Sequence, residues 1–200
     1  MELENEISKI SYSLGVNISQ SLAEQGLKEI NPEAFASALG DFFEGNNLKI
    51  SSDEAQMNLQ KYFGEIQAKM AEEQAKEGIE FLAKNKDREG IVSLPSGLQY
   101  EIMTEGNGAK PSAEDKVKTH YHGTLIDGTV FDSSVERGEP ISFPLNGVIT
   151  GWTEALQLMP IGSKWRLFIP SHLAYGERGQ GSIKPHSTLI FEVELIDIEK

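Results

Sequence analysis

Apolar positions recur every three or four places through the first 90 residues. Ile7, Ile10, Leu14, Ile18 and Leu22 form one stripe at helical spacing, and Gly26 suits its stop. Asn31-Pro32 then supplies a capping side chain and a ring already held at a helical φ, ahead of Phe35, Leu39, Phe42 and Phe43. Ser51 and Glu54 stand at capping-box spacing. Leu59, Tyr62, Phe63, Ile66 and Met70 follow, and Ile79 and Leu82 resume the stripe after the mostly charged AEEQAKEG. Gly78 weakens that stretch as a helix by roughly 1 kcal/mol relative to alanine. The pattern predicts one helix to about Gly90, roughly 55–60 Å long, with a middle that is polar all round and suits a solvent-exposed spacer. About 50 residues of short striped helices before it make a small core, which predicts shared apolar surface in a homodimer rather than a monomeric bundle.

From about Ile91 the grammar changes. Strand-like runs cover Leu98 to Met103, Lys116 to Tyr121, Thr129 to Asp132, Lys164 to Ile169 and Thr188 to Ile198. Asp127-Gly128 is a hairpin signal. The last run alternates apolar residues with Glu192, Glu194 and Asp197, as a half-exposed antiparallel strand does. Between the runs, TGWTEALQLM predicts one short helix with Trp152, Ala155, Leu156 and Met159 on a shared face. The expected class is α+β: a helical dimerisation domain over 1–50, a long connecting helix over 51–92, and an antiparallel sheet wrapped on one short helix over 93–200.

Charge narrows the partners. A net charge of −13 argues against a nucleic-acid footprint, which needs a basic stripe, and against anionic membranes. The chain has no cysteine, so disulfides, thiolate metal sites and cysteine nucleophiles are excluded. No run of about 18 apolar residues predicts a membrane span, and the acidic start lacks a leader pattern. These features read as cytoplasmic, or periplasmic if a signal peptide has been removed. His120 and His122 have the spacing of two ligands on one strand face, but no third ligand is placed to complete a metal site. No cofactor is expected, and phosphate-loop, GxSxG and HExxH motifs are missing.

Five phrases in the second half, HYHGTLIDGTVFDSS, NGVITGW, LMPIGSKWRLFIP, LAYGERG and PHSTLIFEVELIDI, resemble the FK506-binding-protein (FKBP) type of peptidyl-prolyl isomerase in order and spacing. They cover residues 93–200. The helical first half resembles the amino-terminal dimerisation domain of bacterial members, including the macrophage-infectivity-potentiator-like group. The resemblance implies a homodimer with paired N-terminal domains at the base of a V, acting on unfolded proline-containing chains with chaperone activity, and inhibited by FK506- or rapamycin-type macrolides. It implies Trp152 as the pocket floor and Tyr121, Phe131, Phe143 and Phe191 as walls, with Val148, Ile149 and Ile183 adding aliphatic surface. Tyr175 would offer its hydroxyl, and Ile149 its N–H, to substrate carbonyls. Asp132, held by Arg137 and Tyr121, would stand near the twisting bond.

Two departures from the family pattern touch the pocket wall: Ile141 occupies a position that is aromatic in some members, and the segments ISFPLNGVIT and ERGQGSIKPHS are short. His122 replaces a commoner threonine. Strand alternation sets a condition of its own. If Tyr121 faces the site, both histidines face away, and Phe131 and Asp132 can serve one site only across a bulge or turn. The rival reading is a proline-peptide binding module or holdase with negligible turnover.

Overall fold

A computed structural model describes residues 3–199. The chain divides between Met70 and Ala71 into two compact units.

The first unit is helical. Helix α1 (Glu6–Glu24) starts where Asn5 Oδ1 accepts from the Ser8 N–H at 2.8 Å. Its exit needs Gly26, at φ +89°, where a Cβ would lie 2.8 Å from the Ile66 side chain. Helix α2 (Pro32–Phe43) is capped by Asn31, whose Oδ1 accepts from the Ala34 N–H at 3.0 Å. Helix α3 (Ser52–Asn85) begins with Ser51 Oγ accepting from the Glu54 N–H at 3.1 Å. Among the described residues of α1 and α2 none is buried. Phe42 and Phe43 are 70% and 81% exposed. A groove of about 960 Å³ between α2 and the start of α3 is walled by Ala34, Leu48, Ile50, Leu59 and Phe63.

The last turns of α3 belong to the second unit. Phe81 lies against Phe168 with ring centres 6.0 Å apart. Asn85 donates to Gln99 Oε1 at 2.8 Å, and Gln99 Nε2 donates to the Leu82 carbonyl at 2.9 Å. The helix ends at Asn85, five residues before the predicted stop near Gly90. Gly78 has a tertiary reason as well. A Cβ there would sit 2.4 Å from Thr188 Oγ1, and Thr188 is buried and β-branched, so it has little freedom to retreat. Helix propensity alone says Gly78→Ala stabilises. We expect instead a loss of about 1–3 kcal/mol from overpacking, measured by thermal unfolding; a variant that melts higher than the parent would refute this.

Seven strands form one sheet: β1 (Ile91–Ser93), β2 (Gln99–Thr104), β3 (Lys116–Leu125), β4 (Val130–Ser133), β5 (Ile141–Pro144), β6 (Lys164–Ile169) and β7 (Leu189–Glu199). The order is β1-β2-β6-β7-β3-β4, with β5 also on β3 and every pairing antiparallel. One edge of β3 is therefore shared: β5 covers Lys116 to Thr119, and β4 covers His122 to Thr124. A single turn, α4 (Ser134–Arg137), fills the interruption. Helix α5 (Thr150–Leu156) packs Trp152, Ala155 and Leu156 onto the inner face, with Met159 just beyond.

The predicted strands are present with ends shifted by a few residues. The largest difference is β3, which runs on to Leu125 through Gly123. A Cβ at Gly123 would meet the rings of Phe131 and Phe191 at 2.7–2.8 Å; the glycine marks a place where aromatic rings cross the strand. Among the described residues no helix is long and apolar enough to cross a membrane.

Candidate active site

The inner face of the sheet, α5 and the loop before β7 enclose a pocket of about 580 Å³. Its floor is Trp152, 5% exposed. The Tyr121, Phe143 and Phe191 rings surround the indole with centres 5.3, 5.3 and 5.0 Å away, and Phe131 stands edge-on to Phe191 at 5.3 Å. Such edge and tilted contacts are favoured by ring quadrupoles and lock the walls against one another. Thr153 Oγ1 donates to the Leu145 carbonyl at 2.7 Å, which ties α5 to the turn carrying Val148 and Ile149. The opposite wall is a small hairpin in which Gln180 and Ile183 exchange backbone hydrogen bonds of 2.9 Å.

The mouth is polar. In the β3–β4 pairing Gly123 faces Asp132 and Thr124 faces Val130, so Phe131 is an extra, bulged residue. The bulge lets Phe131 and Asp132 serve one cavity, as alternation required. Beyond it Ser133 Oγ accepts from the Glu136 N–H at 3.1 Å and starts α4, which Gly138 ends at φ +78°. That one turn delivers Arg137, whose guanidinium donates to Asp132 Oδ1 and, at 2.9 Å, to Tyr121 Oη. Tyr121 Oη in turn donates to Asp132 Oδ2.

Partial burial works against ionisation of Asp132, but the hydrogen bonds from Tyr121 and Arg137 and the guanidinium charge outweigh it and hold the carboxyl below its ordinary range. Burial first, then the bond to Asp132, raises the Tyr121 phenol. Burial, with the charge of Asp132, also raises Tyr175. At neutral pH the mouth thus holds one carboxylate, one guanidinium and two protonated phenols.

All but one of the residues singled out from the sequence line the cavity: Tyr121, Phe131, Asp132, Phe143, Val148, Ile149, Trp152, Tyr175, Ile183 and Phe191. Arg137 stands behind Asp132. Ile141 lines it too, at the wall position where some relatives are aromatic. Gly147, Gln180, Gly181 and Ser182 also line it and were not assigned to the site; the last three sit on a hairpin without periodicity to read. His120 and His122 turn the other way, each placing Nδ1 3.0–3.1 Å from a serine hydroxyl of Ser134 or Ser133. No group of three or more metal-ligating side chains comes together among the described residues.

The model of the FKBP-type peptidyl-prolyl cis-trans isomerases matches residues 107–196, and that of the domain amino terminal to such isomerases matches residues 7–102. The chain belongs to this family. The FKBP-type 22 kDa peptidyl-prolyl cis-trans isomerase of Escherichia coli is 48% identical over 195 residues, 96% of this chain and 95% of that one. The outer membrane protein MIP of Legionella longbeachae is 45% identical, over 99% of this chain and 88% of its own. The crystal structure of FkpA from Escherichia coli superposes with a TM-score of 0.79 at 36% identity, covering 99% of both chains. The FKBP-type assignment makes the protein an enzyme of proline isomerisation, and the fold is the α+β arrangement expected of it.

Proposed function

We propose that the pocket over Trp152 is where this isomerase turns the Xaa-Pro bond, by holding the twisted amide rather than by making or breaking a bond. The observation that carries the reading is the Tyr121–Asp132–Arg137 cluster at the mouth of an otherwise aromatic cavity. Rotation about a peptide bond meets a barrier of about 18–20 kcal/mol because amide resonance is lost. A planar amide is well solvated in water; the twisted one is less so, and a dry aromatic pocket favours it. The proline ring rests on Trp152 between Tyr121, Phe143 and Phe191, with Val148 and Ile183 closing the sides. Tyr175 Oη and the Ile149 N–H donate to carbonyls flanking the bond, and the Asp132 carboxylate, kept ionised by Arg137, faces the carbonyl that rotates. Donors set in advance for the rotated geometry stabilise the transition state more than the ground state.

The test uses a macrolide of the FK506 or rapamycin type against cis-to-trans relaxation of a short Xaa-Pro peptide. Bound macrolide is expected to quench Trp152 emission and to abolish acceleration over the same concentration range. Acceleration that survives full quenching would place the chemistry elsewhere. Quenching by a well-folded protein that never accelerates the peptide would favour the binding-module reading.

The helical unit supports a second part of the proposal, that two copies associate through it and that the pair acts as a chaperone on unfolded proline-containing chains. Helices without one buried residue, carrying phenylalanines 70% and 81% exposed, need a partner surface, and the acceptor is a second copy. Two linked pockets raise the effective concentration at a long substrate. The expectation of a cytoplasmic protein gains nothing from the relatives, one of which is named an outer membrane protein. We take the cell envelope as the place of action, to be checked by fractionation of cells making the natural protein.

A further inference from the structure

On the shared edge of β3, the β5 ladder stops at Thr119, opposite Ile141, and the β4 ladder starts at His122, opposite Ser133. His120 and Tyr121 lie in the gap between the two. In an antiparallel strand the N–H and C=O of one residue point to the same side, and neighbours alternate. The Tyr121 pair points to the gap, where no strand exists to receive it. Buried backbone groups left unpaired are costly.

Ser134 occupies the gap. Its side chain is fully buried. Its Oγ accepts from the Tyr121 N–H at 2.8 Å and donates to the Tyr121 carbonyl at 3.2 Å. One hydroxyl thus replaces a missing stretch of ladder. Its oxygen also lies 3.1 Å from His120 Nδ1. The hydroxyl is also the first residue of α4, and Arg137 is the last of that same turn. Ser134 therefore joins the backbone beneath Tyr121 to the turn that aims the guanidinium at Asp132 and Tyr121 Oη.

We infer that Ser134 is a positioning residue for the isomerisation: it fixes where the Tyr121 phenol and the Arg137 guanidinium meet the Asp132 carboxylate without touching substrate. The inference rests on the proposed role of Asp132 and Tyr121 in the pocket. Ser133 offers an internal control. Its hydroxyl caps α4 and contacts His122, but makes no bond to Tyr121.

The experiment compares kcat and KM of the full chain with those of Ser134→Ala, Ser133→Ala, Ser134→Thr and Asp132→Val, each corrected for folded fraction by calorimetry. Ser134→Ala is expected to lower kcat about tenfold with KM within about twofold, because a small misplacement of acting groups reduces rate more than binding. Ser133→Ala, which removes the cap of α4 but no bond to Tyr121, is expected to lower the melting temperature and to lower kcat clearly less than Ser134→Ala does. Ser134→Thr, which retains the hydroxyl, is expected to keep kcat within about threefold; should the alanine variant not fold, this result decides, and a folded threonine variant as slow as tenfold overturns the inference. A kcat for Ser134→Ala equal to that of Ser133→Ala also overturns it. If Asp132→Val keeps the parent rate, the reading of the pocket itself falls, and the positioning role with it; if only Asp132→Val is slow, the pocket stands and the positioning role does not.

Discussion

Replacing Asp132 by valine is expected to lower kcat/KM for a short Xaa-Pro peptide by about 100-fold or more, the loss typical when one group preorganised for a transition state is removed. The melting temperature stays close to that of the parent. The side chain is 43% exposed, so valine deletes little packing, and an ion pair this open to water contributes little to stability. What changes is the mouth. Without the carboxylate, the Arg137 guanidinium and the Tyr121 hydroxyl lose their shared acceptor.

The same dependence fixes a pH profile. The folded-state pKa of Asp132 lies below the ordinary carboxylate value of about 4. The ionised form, and whatever stability the shift confers, is fully present above that ordinary value and is lost only as pH falls through the lower folded value. Activity should therefore stay level from neutrality down through pH 5. A fall with a midpoint at or above the ordinary carboxylate value would mean that the Tyr121 and Arg137 bonds do not hold in solution.

Substituting Phe42 and Phe43 together by aspartate is expected to convert a dimer to a monomer, seen by sedimentation velocity. Each phenyl ring buried between copies contributes about 1.5–3 kcal/mol. Both copies carry the change, so the pair loses four rings, about 6–12 kcal/mol, which weakens association by more than about 10⁴-fold, before the cost of burying four carboxylates. Helical ellipticity should fall with it, since α1 and α2 have no buried residue of their own. Peptide turnover should remain within about twofold while assistance to a proline-limited refolding protein declines. A double variant that sediments as the parent does would remove this face from the interface.

Much of the architecture was written locally. Asn31 and Ser51 declare helix starts because a cap bonds a donor three residues away and needs nothing distant. The pocket aromatics other than Phe143 were legible from the five phrases, and the conflict between alternation and a shared role for Phe131 and Asp132 called for a bulge or a turn, of which the fold uses the bulge. What stayed hidden depends on partners far along the chain. Strands β1 and β5 have three and four residues, too few for a period, and exist because β2 and β3 offer edges. Gly78 reads as a flaw in a helix until Thr188 is set against it. Ser134 reads as one more serine in FDSS; its task appears only when the ladder beside Tyr121 is found to be missing.

Strand β7 carries a further consequence. It is the last of the seven to be synthesised, yet it lies between β6 and β3 at the centre of the sheet, pairing Lys116 with Glu199 and Leu125 with Leu189. The inner face cannot close, and Phe191 cannot reach Trp152, until β7 has left the ribosome. Contacts so distant along the chain make for slow folding, on the order of milliseconds to seconds. An enzyme that shortens the folding of other chains thus has a long nascent period itself, during which β1-β2-β6 on one side and β3 with β4 and β5 on the other must wait, their apolar inner faces uncovered, for the strand that joins them.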